Sequence, residues 1–293
     1  MAIPLGANWW LLRKTNLVRV PPKAAELKDL SVELHELEER AVVGRAAIRE
    51  AGEMAVDFYA RRHSLPVEQK GAQDLVTEAD RSCEALIVRR LTAAFPNDSL
   101  LCEESGLRKR GPLLWAIDPI DGTANFVRGI SHWCISIALL DGPRPLMGLI
   151  FDPIADETFS AVAGSGAFLN DRAIGVTGET EIANARIGVG FSYRRPVASH
   201  ARDIERLLEA GCEYSRLGSG ALGMAYTAAG RFDGYWERHI NAWDVAAGVI
   251  IVHEAGGRTN DFFLGGEGLT KGNEILAATP DLYSRFQEIL QGR

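Results

Sequence analysis

The chain has 293 residues, 46% of them hydrophobic, which is enough for one large α/β domain or two smaller ones packed together. A formal net charge of −7 offers no broad basic field for nucleic acid, and no apolar run approaches the roughly 20 residues needed to cross a bilayer, so a membrane span is excluded. Cys83, Cys102, Cys134 and Cys212 stand far apart, with no CxxC pair and no zinc-like spacing, which argues against a disulfide framework and for a reducing, cytoplasmic setting.

Residues 1–30 read as an N-terminal extension. Trp9, Trp10, Leu11 and Leu12 form a short apolar patch, followed by Arg13, Lys14, Arg19 and the Pro21-Pro22 break. A secretory signal places its basic residues before a longer apolar segment, so this stretch is expected to be a surface arm, with a membrane-surface or oligomer contact through the tryptophans as the alternative. From Leu34 to Phe58, Leu34, Leu37, Ala41, Val42, Ile48, Met54, Ala55 and Phe58 recur mostly at three, four or seven residues, the period of an amphipathic helix. A second helix is predicted from about Glu78 to Ala94, with Asp80 in its first turn and Pro96-Asn97 past its end.

Leu113 to Ile117 is an apolar run bounded by Gly111-Pro112 and Asp118-Pro119, the pattern of a buried strand. Strand-like runs at Cys134–Leu140, Leu146–Phe151 and Glu157–Val162 follow, separated by turn-rich segments, and predict a meandering sheet. After about Ile182 strand and helix alternate: 185–189 extended, 201–210 helical, and Asp244 to Glu254 helical with Gly256-Gly257 as its stop. The pattern divides the chain into 1–30, 31–181 and 182–293.

The chemistry concentrates after the 113–117 strand, where Asp118 and Asp121 stand three residues apart and Gly122-Thr123 follows with N–H groups suited to a phosphate. Carboxylates alone repel a phosphate ester, so acids beside a phosphate cradle make sense with hard divalent cations between them, magnesium above all. Glu103-Glu104 ends another apolar run, and Asp244 opens a helix. Each has a plain structural reading: an Asx turn for 118–121, solvated surface charge for the glutamates, an N-cap for Asp244. Their joint occurrence favours a site.

Asp118, Asp121, Gly122, Thr123 and Asp244 fall within a set of four ordered blocks: Asp74–Asp80, Trp115–Phe126, Gly218–Ala221, and Trp243–Gly248 with Glu254–Gly257 behind it. In them the sequence resembles the inositol monophosphatase family from about residue 34 onward. The resemblance implies a five-layer αβαβα sandwich, an N-terminal metal-binding part and a C-terminal substrate-binding part. It implies two to three Mg²⁺ ions held by Glu103, Asp118, the carbonyl of Ile120, Asp121 and Asp244. Asp118 bridges two ions, Glu103 and Ile120 complete the first, Asp121 and Asp244 the second, and a third rests on Glu103 and waters.

By the same resemblance Thr123, paired with Asp80, orients the attacking water, so that Glu103, Thr123 and Asp80 form the catalytic group. The N–H groups of Gly122 and Thr123 hold the phosphate, and Asp121, Gly218, Ser219 and Glu237 face the alcohol. Cys102 stands where the family commonly has glycine, and Gly220 where it usually has alanine; the thiol is either an oxidation-sensitive group or a buried inert one. The implied activity is hydrolysis of inositol 1-phosphate or a related polyol or sugar phosphate, by a lithium-sensitive homodimer. Histidinol-phosphate phosphatase and 3′-nucleotidase activities share these metal residues; Ala124-Asn125-Phe126 resembles the inositol phosphatase subgroup, and Asn125–Gly129 also the histidinol one. A further alternative is non-catalytic: a regulatory partner of the transcription machinery, as some bacterial relatives are.

Overall fold

The computed structural model describes residues 34–71 and 74–292. The arm predicted at 1–30, with Trp9 and Trp10, lies outside them. The first half runs α1 (Leu34–Ala60), β1 (Val67–Gly71), β2 (Asp74–Thr77), α2 (Glu78–Ala94), β3 (Ser99–Cys102), β4 (Gly106–Arg108), β5 (Leu113–Asp121), α3 (Thr123–Arg128), β6 (Cys134–Asp141), β7 (Arg144–Asp152), β8 (Glu157–Val162), β9 (Ala167–Leu169) and β10 (Arg172–Ala173). The second runs β11 (Arg186–Val189), α4 (Val197–Glu209), β12 (Glu213–Ser215), α5 (Gly220–Ala228), β13 (Gly234–Ile240), α6 (Ala242–Glu254), β14 (Arg258–Thr259), α7 (Glu267–Lys271), β15 (Asn273–Ala278) and α8 (Pro280–Gln291).

An eight-stranded sheet, ordered β10-β9-β8-β7-β6-β5-β3-β4, and a five-stranded sheet, ordered β12-β11-β13-β15-β14, supply two of five layers. The predicted meander is its antiparallel part; β3 then joins parallel to β5 and β4 closes the edge. Three apolar clusters fill the spaces between layers. The first packs Leu37, Ile48 and Phe58 of α1 and Ile87 and Leu91 of α2 on Trp115, Ile117 and Ile137 of the large sheet. The second packs the sheet's other face, through Ala116, Ala138 and Ile150, on α5 and α6, which also touch Tyr235, Ile275 and Ala277 of the small sheet. The third packs the small sheet's far face, Ile187, Trp236 and Leu276, under Leu207 of α4 and Phe286 of α8. The order is αβαβα.

Helices α5 and α6 are apolar almost all round because they are covered on two sides. They also approach closely: a Cβ on Gly248 would overlap Met224 Cβ, and one on Gly148 of β7 would overlap the Ala247 backbone. Glycine at both positions lets the middle layer sit near the sheet.

Strand β5 runs past its expected end at Ile117, through Asp118-Pro119-Ile120 to Asp121. Along it Trp115 and Ile117 face α1 and α2, so alternation turns Ala116 and Asp118 toward the middle layer. Strict alternation would then turn Asp121 away. Instead the register shifts: Asp118 pairs with Ser136 and Asp121 with Cys134, three steps against two. The extra residue sends Ile120 back into the α1–α2 core and returns Asp121 to the face of Asp118.

Candidate active site

A polar cleft of about 200 Å³ lies where β3, β5, β11 and β13 end or bend and α3, α5 and α6 begin, a usual place for a ligand in an α/β structure. Glu103, Asp118, Ile120, Asp121, Gly122, Thr123, Gly218, Ser219, Glu237 and Asp244 all line it. Of the predicted site residues only Asp80 is set back behind this surface, fully buried.

The centre is Asp118, Asp121 and Asp244, each of which offers one carboxylate oxygen within 4.8 Å of the other two. Burial raises the Asp118 carboxyl well above the ordinary range, and the charges of Glu103, Asp121 and Asp244 push it the same way. Burial, and then Asp121, pushes Asp244 up to about 7. Asp121 is raised by burial against the opposing pull of its hydrogen bonds. Gathering charges in this way is costly unless a cation lies among them, and an all-oxygen donor set fits a hard divalent ion.

Each acid is held differently. Asp244 was expected to open its helix at Val245; instead α6 starts at Ala242 with Asn241 as N-cap, and Asp244 is its third residue. Its Oδ2 accepts from Asn241 N (2.9 Å), so the carboxylate is fixed by a capping box at the edge of the cleft. Asp121 is gripped by the start of α5: Ser219 Oγ donates to its Oδ2, Ala221 N donates to Oδ2 (2.7 Å), and Gly220 N to Oδ1 (3.3 Å). Ser219, buried, is also the N-cap of α5 and accepts from Leu222 N (3.2 Å). The hydroxyl expected to meet substrate thus binds an acid of the cluster. A methyl on Gly220, the family's usual alanine, would come 2.5 Å from Ile240 Cδ1, so the isoleucine fills the space that alanine would need.

Thr123 Oγ1 lies 3.1 Å from Asp80 Oδ1 and 3.0 Å from the Ile120 carbonyl. Asp80 belongs to the capping box of α2: its Oδ2 accepts from Thr77 N (2.8 Å) and Thr77 Oγ1 (2.7 Å). Burial pushes its carboxyl up to about 6 against those bonds. Glu237 is buried, accepts from Tyr235 Oη (2.7 Å), and is pushed up to about 8, mostly by burial. Gly190 matters here, because any Cβ at that position would overlap the Glu237 carboxylate.

The two predicted glutamates part company. Glu103 lines the cleft, whereas the N–H groups of Glu104 and Ser105 donate to the carboxylate of Glu84 (2.8 and 3.0 Å). Glu84, buried on α2, thereby holds the turn that carries Glu103. Sequence reasoning missed it, although an acid one residue after Cys83 and two before Leu86, on the buried side of an amphipathic helix, was the available signal. It also missed Tyr235 and the structural part of Asn125, whose Nδ2 donates to His132 O (2.7 Å) and Leu217 O (2.8 Å), pinning the Gly218 loop to the cleft. Cys102 is buried and its thiol is pushed up to about 12, which favours the inert reading.

The layered fold, with an acid cluster at the seam between its sheets, puts the molecule among αβαβα sandwich proteins whose site lies at the ends of their strands. A family model described as the inositol monophosphatase family matches residues 36–292, and the chain belongs to that family. A Nus factor SuhB of Xylella fastidiosa is 40% identical over 218 residues, 74% of this chain and 79% of its own. An inositol-1-monophosphatase of Rhizobium meliloti is 36% identical over 249 residues, 84% of this chain and 93% of its own. The crystal structure of extragenic suppressor protein suhB from Bartonella henselae aligns with TM-score 0.82 and 34% identity, covering 86% of this chain and 98% of that one.

Proposed function

We propose that the chain is a magnesium-dependent phosphatase that hydrolyses inositol 1-phosphate or a related polyol or sugar phosphate. The observation that carries this reading is the convergence of Asp118, Asp121 and Asp244 within 4.8 Å, on one cleft with Glu103 and Thr123. Asp118 would bridge two ions, with Glu103 and the Ile120 carbonyl on one side and Asp121 and Asp244 on the other. Bound magnesium supplies neutralisation of the phosphate oxygens, a lowered water pKa and stabilisation of the leaving alkoxide.

The chain's own groups do the positioning. Thr123 Oγ1, donating toward Asp80, keeps its lone pairs for a water proton and so orients that water. The N–H groups of Gly122 and Thr123 hold the ester's phosphate at the cleft floor. Glu237, held by Tyr235, accepts hydrogen bonds from the alcohol's hydroxyls. Ser219 acts on the metal side through Asp121. Homodimer assembly, lithium inhibition and a cytoplasmic setting belong to the same reading.

Phosphate release from inositol 1-phosphate, sugar phosphates, histidinol phosphate and nucleoside 3′-phosphates tests it. Activity should appear with magnesium, vanish in excess EDTA and fall by several powers of ten in Asp118→Asn. Full turnover in EDTA would refute it. Relatives named Nus factor SuhB favour a second reading, a partner role in the transcription machinery. That role should survive Asp118→Asn, whereas the phosphatase should not.

A further inference from the structure

The small sheet carries a second cavity on the side away from the acid cluster. Helices α4 and α8 form its walls, through Ser199, Arg202 and Arg206 on one and Tyr283 and Gln287 on the other, each set about a turn apart. Arg206 Nη1 donates to Leu290 O (3.2 Å) and ties the helices together near their C-terminal ends. The groove encloses about 450 Å³ against 200 Å³ for the catalytic cleft, inside the range of roughly 300–1,000 Å³ usual for small-molecule sites.

Its lining is cationic in a chain whose net charge is −7: Arg202, Arg206 and Arg238 face it with one acid, Glu274. Arg238 is spoken for, since its Nε and Nη2 donate to the fully buried Asp203 at 2.6 and 2.5 Å. That pair holds its guanidinium 5.8 Å from the centre of the Trp236 ring. Arg258 stands 4.6 Å over the Tyr283 ring in the same way. Arg202 is exposed and its hydrogen bond, to Ser199 Oγ, is long (3.4 Å). Counting Asp203 with the lining still leaves one net positive charge.

An arginine fork matches phosphate oxygens. We propose that the groove between α4 and α8 is a second ligand site, for a small phosphorylated molecule. Strand β13 joins it to the catalytic cleft. Trp236 and Arg238 line the groove, while Glu237 between them lines the cleft, as alternation along a strand requires. A bound ligand that shifts Trp236 or Arg238 therefore acts on the residue that meets the alcohol, and changes KM more than kcat.

Adenosine diphosphate is the probe, titrated calorimetrically into the whole chain in EDTA. Without divalent ions the catalytic cleft presents carboxylates and repels the probe, whereas the groove needs no metal. Saturable binding with one site per chain is expected. Arg202→Glu on one wall and Gln287→Glu on the other, both at exposed positions, should each weaken it by about tenfold or more; Asp118→Asn should leave it within about twofold. No saturable binding in EDTA would overturn the proposal, as would binding indifferent to both wall substitutions or lost in Asp118→Asn. Because the titration requires no turnover, its failure is distinct from failure of the phosphatase reading.

Discussion

Removing the carboxylate of Glu84 should loosen Glu103 without touching the acid cluster itself. In Glu84→Ala the N–H groups of Glu104 and Ser105 lose their acceptors at 2.8 and 3.0 Å. A buried donor left without a partner costs about 1–3 kcal/mol, and this turn is only partly buried, so water relieves some of it and roughly 2 kcal/mol for the pair is reasonable. Truncating a side chain that is 4% exposed adds about 1 kcal/mol for the space left behind. At about 2–4 °C per kcal/mol for a chain of this size, thermal unfolding in EDTA should fall by roughly 6–12 °C. Glu103 N still donates to Ile117 O (3.1 Å), so the turn should move rather than unravel. The magnesium concentration for half-maximal phosphate release should rise about tenfold, with kcat at saturating magnesium much less affected. Glu84→Gln, which keeps one acceptor, should fall between. An unchanged melting temperature with an unchanged magnesium requirement would show that Glu84 does not hold this turn.

Glu237→Gln should raise KM for a polyol phosphate and leave turnover of p-nitrophenyl phosphate nearly unchanged; equal loss on both esters would place Glu237 in the metal chemistry instead. Asp80 has a carboxyl raised from 3.8 to about 6 in the folded chain, so the folded state holds a proton that the unfolded state has released between those values. Its contribution to stability is complete below about pH 4 and lost as pH rises through 6. Relative to Asp80→Asn, the wild type in EDTA should therefore lose up to about 3 kcal/mol across that window, and a difference flat in pH by denaturant melts would refute the assignment. Gly248→Ala should destabilise by about 1–2 kcal/mol in urea melts, since overlap with Met224 outweighs the gain in helix propensity; a more stable variant would mean that α5 can move aside.

Much of the architecture follows from periodicity. The α1, α2, β6, β7 and β8 segments announce themselves because one face, or both, is apolar at the right spacing. The segments that were passed over have other reasons to fold. The strand β13, Gly-Tyr-Trp-Glu-Arg-His-Ile, carries three polar residues in a row because it lies between a cleft and a groove. The short α5 is buried on nearly every side, so no amphipathic stripe marks it. The extension of β5 through Pro119 was hidden by a residue that usually ends strands, and only the register against β6 shows the bulge.

The candidate site was legible in its acids because their blocks are contiguous in sequence. What supports them was not, since the partners lie far away: Ser219 reaches Asp121 across 98 positions, Asn125 reaches Leu217 across 92, and Glu84 reaches Glu104 across 20. Motifs record the groups that do chemistry, while the groups that aim them are spread through the chain and become visible only when it is folded.

The middle helix layer has a consequence for how the chain is made. The large sheet ends at Ala173, whereas α5 begins at Gly220 and α6 ends at Glu254. During synthesis, then, the sheet is complete some fifty residues before the first helix that covers its second face, with Ala116, Ala138, Leu140, Ile150 and Phe159 awaiting partners there. A nascent or truncated chain ending in that interval would expose a broad apolar sheet face and depend on chaperones to stay in solution. Since α5 and α6 also bring Ser219 and Asp244 to the acids of β5, closing that face and completing the site are one folding event.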